Sequence, residues 1–192
     1  IIGQISKGKI KSFEITANGE LIQLDIEPLV VAILKGALSS ILNDVNYVNA
    51  PFLAKQRGIE IKVIKSEAPS SYTSLLKVKM ITDIEENNVS VSLIAKNISR
   101  IVKLNDYDVI IKPNEHMLIV PHINQVAMVA KVANVLCEDN INIGSMNVSQ
   151  NIKGSDMSIM AIDIDSSLSN EMLDKISKID GVHNPKYIKL NI

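Results

Sequence analysis

The chain has no tryptophan, one cysteine and only 3% aromatic residues in 192. So few rings leave little to stack on bases, and a formal net charge of −1 supplies no field to hold nucleic acid or an anionic membrane. Neither is expected as a partner. The single cysteine, Cys137, excludes an internal disulfide and a cysteine-built metal cluster, and fits a reducing cytoplasm. His116, His122 and His183 have no metal-ligand spacing, so no metal site is expected. No apolar run approaches the roughly 20 residues of a membrane span. The eight glycines stand at 3, 8, 19, 36, 58, 144, 154 and 181, and none forms the Gly-x-Gly-x-x-Gly turn of a dinucleotide cradle. There is no Gly-x-Ser-x-Gly elbow, and Cys137 is expected on a buried helix face, away from an activating base. Hence no catalytic residue and no cofactor are assigned to this chain. Its start, Ile-Ile-Gly-Gln-Ile-Ser, lacks both Met and a signal-peptide pattern, as expected of a piece of a longer protein.

What is present suits one large or two small globular domains, with 46% hydrophobic and 21% charged residues. Lys9 to Thr16 alternates Ile10, Ser12 and Glu14 against Lys11, Phe13 and Ile15, which predicts a strand. Asn18-Gly19 is a turn signal that predicts a hairpin back through Glu20 to Asp25. Pro28 opens a helix whose apolar face is Leu29, Val30, Ile33, Leu34, Ala37, Leu38 and Ile41, and Gly36 within it suggests close packing. Asn49 is placed to cap a short helix that Gly58 ends. Strands follow at 60–65, 75–82 and 89–96, then a hairpin of 100–104 and 107–111 around Asn105-Asp106. Pro113-Asn114-Glu115 reads as a linker, dividing the chain into 1–113 and 114–192. The Lys7, Lys9, Lys11 series reads as a solvated strand face, and the seven methionines as core filling.

The stretch from His122 to Met146 carries the functional signal. Met117 to Val120 predicts a strand that enters the polar turn His122-Ile123-Asn124-Gln125. A helix is expected over 126–138, with Val126, Val129, Ala130, Ala133, Leu136 and Cys137 on its buried face and Lys131, Asn134 and Glu138 outward. Asn142 opens the next strand. A polar turn at a helix N-terminus favours a carboxylate, because the first N–H groups lack helical partners and the dipole is positive there. That describes a small-ligand pocket.

These residues give the unit from Met117 to Ile192 a resemblance to the ACT domain, the βαββαβ amino-acid-sensing module, and within it to the C-terminal domain of the D-3-phosphoglycerate dehydrogenase family. Serine-regulated members end the first strand with His-x-Asn and begin the second with Asn-Ile. In them the His and both Asn bind L-serine between two subunits, and His122, Asn124 and Asn142 match all three. Where most members continue with Pro-Gly, this chain has Val126 and Ala127. The first half resembles the intervening, allosteric-substrate-binding domain of the long form of that family, through Gly8-Lys9-Ile10-Lys11, Gly19-Glu20-Leu21, Leu34-Lys35-Gly36, Val48 to Ile59 and Arg100-Ile101-Val102, in order. The resemblance implies an α+β chain of two domains, a mixed α/β intervening domain and a ferredoxin-like ACT domain. It further implies L-serine as effector, self-association through ACT units, and NAD-dependent oxidation of 3-phosphoglycerate by a part of the enzyme not in this chain.

On this reading the amides near Val126 take the carboxylate, Asn124 and Asn142 offer oxygens to the ammonium, and His122 meets the hydroxyl in either tautomer. Arg100 and Lys112 are a candidate anion site by the same resemblance, or exposed charges at hairpin ends. A third cation for such a site is missing, since Ala161 and Ile162 stand about where the family would place it. Asn46 to Gly58 is either a functional loop or a structural cap between helix and sheet. Two other readings stay open for the whole chain: the beta chain of an iron–sulfur L-serine dehydratase, and an assembly module without ligand.

Overall fold

In the computed structural model, which describes residues 1–191, the first strand runs straight through the turn signal at Asn18-Gly19. This strand, β1 (Ile10–Gly19), is flanked by β2 (Glu60–Ser66) in parallel and β3 (Ser74–Thr82) in antiparallel. Both sides of β1 are thus taken, and the expected hairpin partner at 20–25 is a 3-10 turn, Glu20–Gln23, instead. Gly19 makes the exit possible. Its φ is 67°, a Cβ there would collide with the Thr73 carbonyl, and the next N–H, of Glu20, donates to that carbonyl at 3.0 Å. A register shift between Ile10 and Ser12 explains why Ile10 and Phe13 are both buried although strict alternation would put them on opposite faces.

The α+β character is as expected. The chain divides into two compact units, 1–105 and from Asp106 onward. After the short α1 (Ile2–Ile5), β1 is followed by α2 (Glu27–Leu38) and α3 (Ala50–Gln56). Pro28 lies in the first turn of α2, where a missing N–H costs nothing. Leu34, Ala37 and Leu38 are its buried residues, and burying a leucine contributes about 2 kcal/mol. Two expectations fail on this helix. Ile41 lies beyond its end and is 51% exposed, and Gly36 faces open space. The close approach is made by Gly3 of α1, where a Cβ would come 2.7 Å from the Ala37 carbonyl. β4 (Glu86–Ala95) and β5 (Ile98–Leu104) complete the sheet of the first unit in the order β2-β1-β3-β4-β5, and β6 (Tyr107–Ile111) opens the second unit.

The second sheet is formed by β7 (His116–Ile123), β8 (Ile143–Gln150), β9 (Met157–Ile164) and β10 (Lys186–Lys189), in the order β10-β7-β9-β8. With α4 (Met128–Glu138) after β7 and α5 (Asn170–Ser177) after β9, this is the ferredoxin-like βαββαβ arrangement. One face of the sheet, with Leu118, Val120, Met160 and Ile162, packs in a common core with Met128, Val132 and Leu136 of α4 and Met172 and Ile176 of α5. Ser169 caps α5, its Oγ accepting from the Met172 N–H at 3.1 Å.

The buried face of α4 corrects the expectation. Of Val126, Val129, Ala130, Ala133, Leu136 and Cys137, only Leu136 is buried; Val126 precedes the helix and is 94% exposed, and Cys137 is exposed. The helix is apolar on two sides, and the sheet takes the one with the larger side chains, Met128, Val132, Val135 and Leu136, over the alanine-rich one. Five methionines, Met80, Met117, Met128, Met160 and Met172, are core residues. Among the described residues no helix is long and apolar enough to cross a membrane.

Candidate functional site: the connection from β7 to α4

His122 is part of β7, not of the turn after it, and is 2% exposed. Strand alternation puts it on the face of Leu118 and Val120, the face covered by the helices. Its end of the strand is held from one side by β9, with Ser158 directly opposite, and from the other by a bridge to Val182. The Ile123 N–H donates to Gly181 O and the His183 N–H to Pro121 O, both at 2.8 Å. The backbone at His122 is therefore held from both sides.

Its hydrogen bonding narrows the earlier choice of tautomer. Nδ1 lies 2.8 Å from the Ile123 carbonyl, which can only accept, so Nδ1 carries a hydrogen. In the neutral ring Nε2 is then a bare acceptor. Nε2 is buried and has no hydrogen-bond partner among the described residues.

Beyond β7 the chain is exposed. The Asn124 N–H donates to Asp156 O at 2.7 Å, which leaves its side chain at the surface. Gln125 Nε2 rests 3.3 Å from Met128 Sδ. Ala127 occupies the N-cap of α4 with φ 70° and ψ 1°, the left-handed conformation that glycine adopts without strain. The backbone thus keeps a glycine-like course with an alanine side chain on it. The N–H groups of Met128, Val129 and Ala130 precede the first intrahelical bond, from Lys131 N–H to Ala127 O at 2.9 Å, and form the positive end of an eleven-residue helix.

Asn142 is elsewhere. It is exposed just before β8, where its N–H donates to Asp165 Oδ1 at 3.1 Å. Ile143 pairs with Ile164 of β9, whereas His122 pairs with Ser158, six residues away along the same strand. At about 3.3 Å per residue this is roughly 20 Å. One chain brings His122, Asn124 and Val126 into one connection and keeps Asn142 at the opposite end of the sheet.

Of the candidate anion residues, Arg100, on β5 of the first unit, donates to the Ser99 carbonyl at 2.8 Å, and Lys112 is exposed in the second unit, where Ala161 and Ile162 are buried on β9. In the Asn46–Gly58 segment the polar groups bond one another. Asn46 Oδ1 accepts from the N–H groups of Val48 and Asn49, both at 2.9 Å, and Asn49 Oδ1 returns to the Asn46 N–H at 2.8 Å. Asn49 holds the N-cap position as expected, but its side chain caps the loop and not the helix. A feature the sequence did not mark is an open cavity of about 510 Å³ in the first unit, lined by Asp25, Glu27, Pro28, Val31 and Tyr47. Its acidic lining suits no phosphate. Among the described residues no three acidic, histidine or cysteine side chains are grouped to hold a metal.

With this geometry described, the chain can be set beside known proteins. Residues 1–105 match the family model of the D-3-phosphoglycerate dehydrogenase intervening domain. The D-3-phosphoglycerate dehydrogenase of Synechocystis sp. is 32% identical over 192 residues, 99% of this chain and 34% of that protein. That of Archaeoglobus fulgidus is 30% identical over 185 residues, 95% of this chain and 35% of the relative. The probable L-serine dehydratase beta chain of Bacillus subtilis is 26% identical over 152 residues, 79% of this chain and 69% of that one. The chain spans about a third of the length of the two dehydrogenases.

Proposed function

Because the chain belongs to the D-3-phosphoglycerate dehydrogenase family through its intervening domain, we propose that it is the regulatory part of such an enzyme, that its second unit is an ACT-type module, and that L-serine is the effector bound there. The observation that carries this reading is the placement of His122 and Asn142 at opposite ends of one sheet. Two residues of matching chemistry that far apart serve one small ligand only if a second copy supplies one of them. β8 is the outer strand of its sheet and has no buried residue; β6 covers its end, where Ser149 Oγ donates to the Asp108 carbonyl, and the stretch from Ile143 to Val148 is the edge that would serve such pairing.

The ligand carboxylate would lie over the first N–H groups of α4. The ammonium would be shared by the amide oxygens of Asn124 and of Asn142 from the second copy, and the hydroxyl would reach His122 Nε2. Serine bound at this seam regulates only by its different affinity for two arrangements of the subunits. NAD-dependent oxidation of 3-phosphoglycerate, the first step of serine synthesis, would belong to the part of the enzyme beyond this chain. The residues present do not fit a dinucleotide, since no glycine turn of the required spacing exists.

Calorimetric titration with L-serine, with glycine and L-alanine as controls, tests the reading. Saturable binding of serine that His122→Ala abolishes is the expected result. No binding up to millimolar serine would leave a module for assembly only, to which the 94% exposed Val126 and the strained Ala127 would then belong. The likeness to the dehydratase beta chain favours a second reading, an effector-binding subunit of that enzyme. The coding sequence upstream of Ile1 decides between the two enzymes.

A further inference from the structure

Four buried side-chain atoms have no hydrogen-bond partner among the described residues, and two of them, His122 Nε2 and Ser158 Oγ, belong to residues directly opposite each other on β7 and β9. Ser158 is 0% exposed, on the same face as Met160 and Ile162. A buried hydroxyl without a partner is destabilising, and alanine would fill that position without the penalty. Cross-strand neighbours have their Cβ atoms about 5 Å apart, close enough for both groups to reach one atom between them. Their chemistry is complementary. In the neutral ring, with the Nδ1 hydrogen on Ile123 O, Nε2 accepts, and the serine hydroxyl can donate.

We propose that His122 and Ser158 form a two-point receptor for a single hydroxyl group of the bound amino acid, with Ser158 determining selection of L-serine over L-alanine. The ligand O–H donates to His122 Nε2, and the Ser158 hydroxyl donates to the same ligand oxygen. A methyl group at that point leaves both protein atoms unpaired, which is how a site built around a hydroxyl rejects the analogue without one. A carboxylate is disfavoured there because it brings no hydrogen to Nε2, and this fixes the orientation of the ligand with its carboxylate toward α4.

The inference rests on the amino-acid-sensor reading of the same site, and the experiment separates the two. The whole chain is titrated with L-serine and L-alanine as wild type, Ser158→Ala and Ser158→Thr, with thermal melting to follow the fold. Ser158→Ala is expected to weaken L-serine about tenfold or more and to leave L-alanine unchanged. Ser158→Thr, which retains the hydroxyl, is expected to keep the preference for serine. Unchanged serine affinity in Ser158→Ala overturns the role of Ser158 while the sensor reading stands. Equal weakening of both ligands also overturns it, by reducing Ser158 to a packing residue. A wild-type chain that binds neither amino acid overturns both readings together.

Discussion

The Asn46–Gly58 segment and the connection from β7 to α4 treat their polar groups in opposite ways. In the first, Asn46 and Asn49 satisfy each other and the backbone around them, while Val48 and Phe52 are 89% and 67% exposed. At the second, His122 at the end of β7 and its cross-strand neighbour Ser158 on β9 are buried with atoms unsatisfied, and Ala127 is held in a conformation that costs about 1 kcal/mol. A closed network has nothing left to offer a ligand and stabilises the entry into α3. An open one costs stability, and such costs gather where a ligand repays them. The contrast supports the proposed division, with structure in the first segment and binding in the second.

Three substitutions sharpen or break that contrast. Asn46→Ala removes the acceptor of two N–H groups, and is expected to lower stability by about 1–2 kcal/mol in urea unfolding. It should leave serine binding untouched, and a loss of binding would blur the division. Ala127→Gly relieves the left-handed strain and is expected to raise stability by about 1 kcal/mol. If it lowers stability instead, the cap is not strained as described. Ser158→Ala removes an unpaired hydroxyl, and a gain of about 0.5 kcal/mol is expected in the same assay although serine binding suffers. A marked destabilisation would mean that Ser158 belongs to the closed kind of network after all.

The strands were largely legible in the sequence, because alternation and turn residues such as Asn105 are local signals; Asn105 does adopt φ 50° between β5 and β6. Legibility ended where a distant partner decides. Asn18-Gly19 carries a turn signal, but β2 and β3 fill both sides of β1 and no room is left for the hairpin. The face of α4 was ambiguous because apolar residues surround much of the helix, and only the sheet beneath selects Met128 and Val132 over Val129 and Cys137. His122, Asn124 and Asn142 stood out through their match to the motifs of the family that the chain resembles. Ser158 did not, since nothing in Asp156-Met157-Ser158-Ile159 signals a pairing with a residue 36 positions earlier.

The central claim is that one ligand site draws on both ends of the sheet, through two copies of the chain. Mixing His122→Ala with Asn142→Ala chains tests it most directly, by calorimetry with L-serine after the subunits have been allowed to exchange. Neither variant alone should bind. The mixture should recover binding, because in a symmetric dimer of one chain of each kind one of the two sites is intact. A mixture as inert as its components, or an Asn142→Ala chain that binds serine like the wild type, would contradict the account.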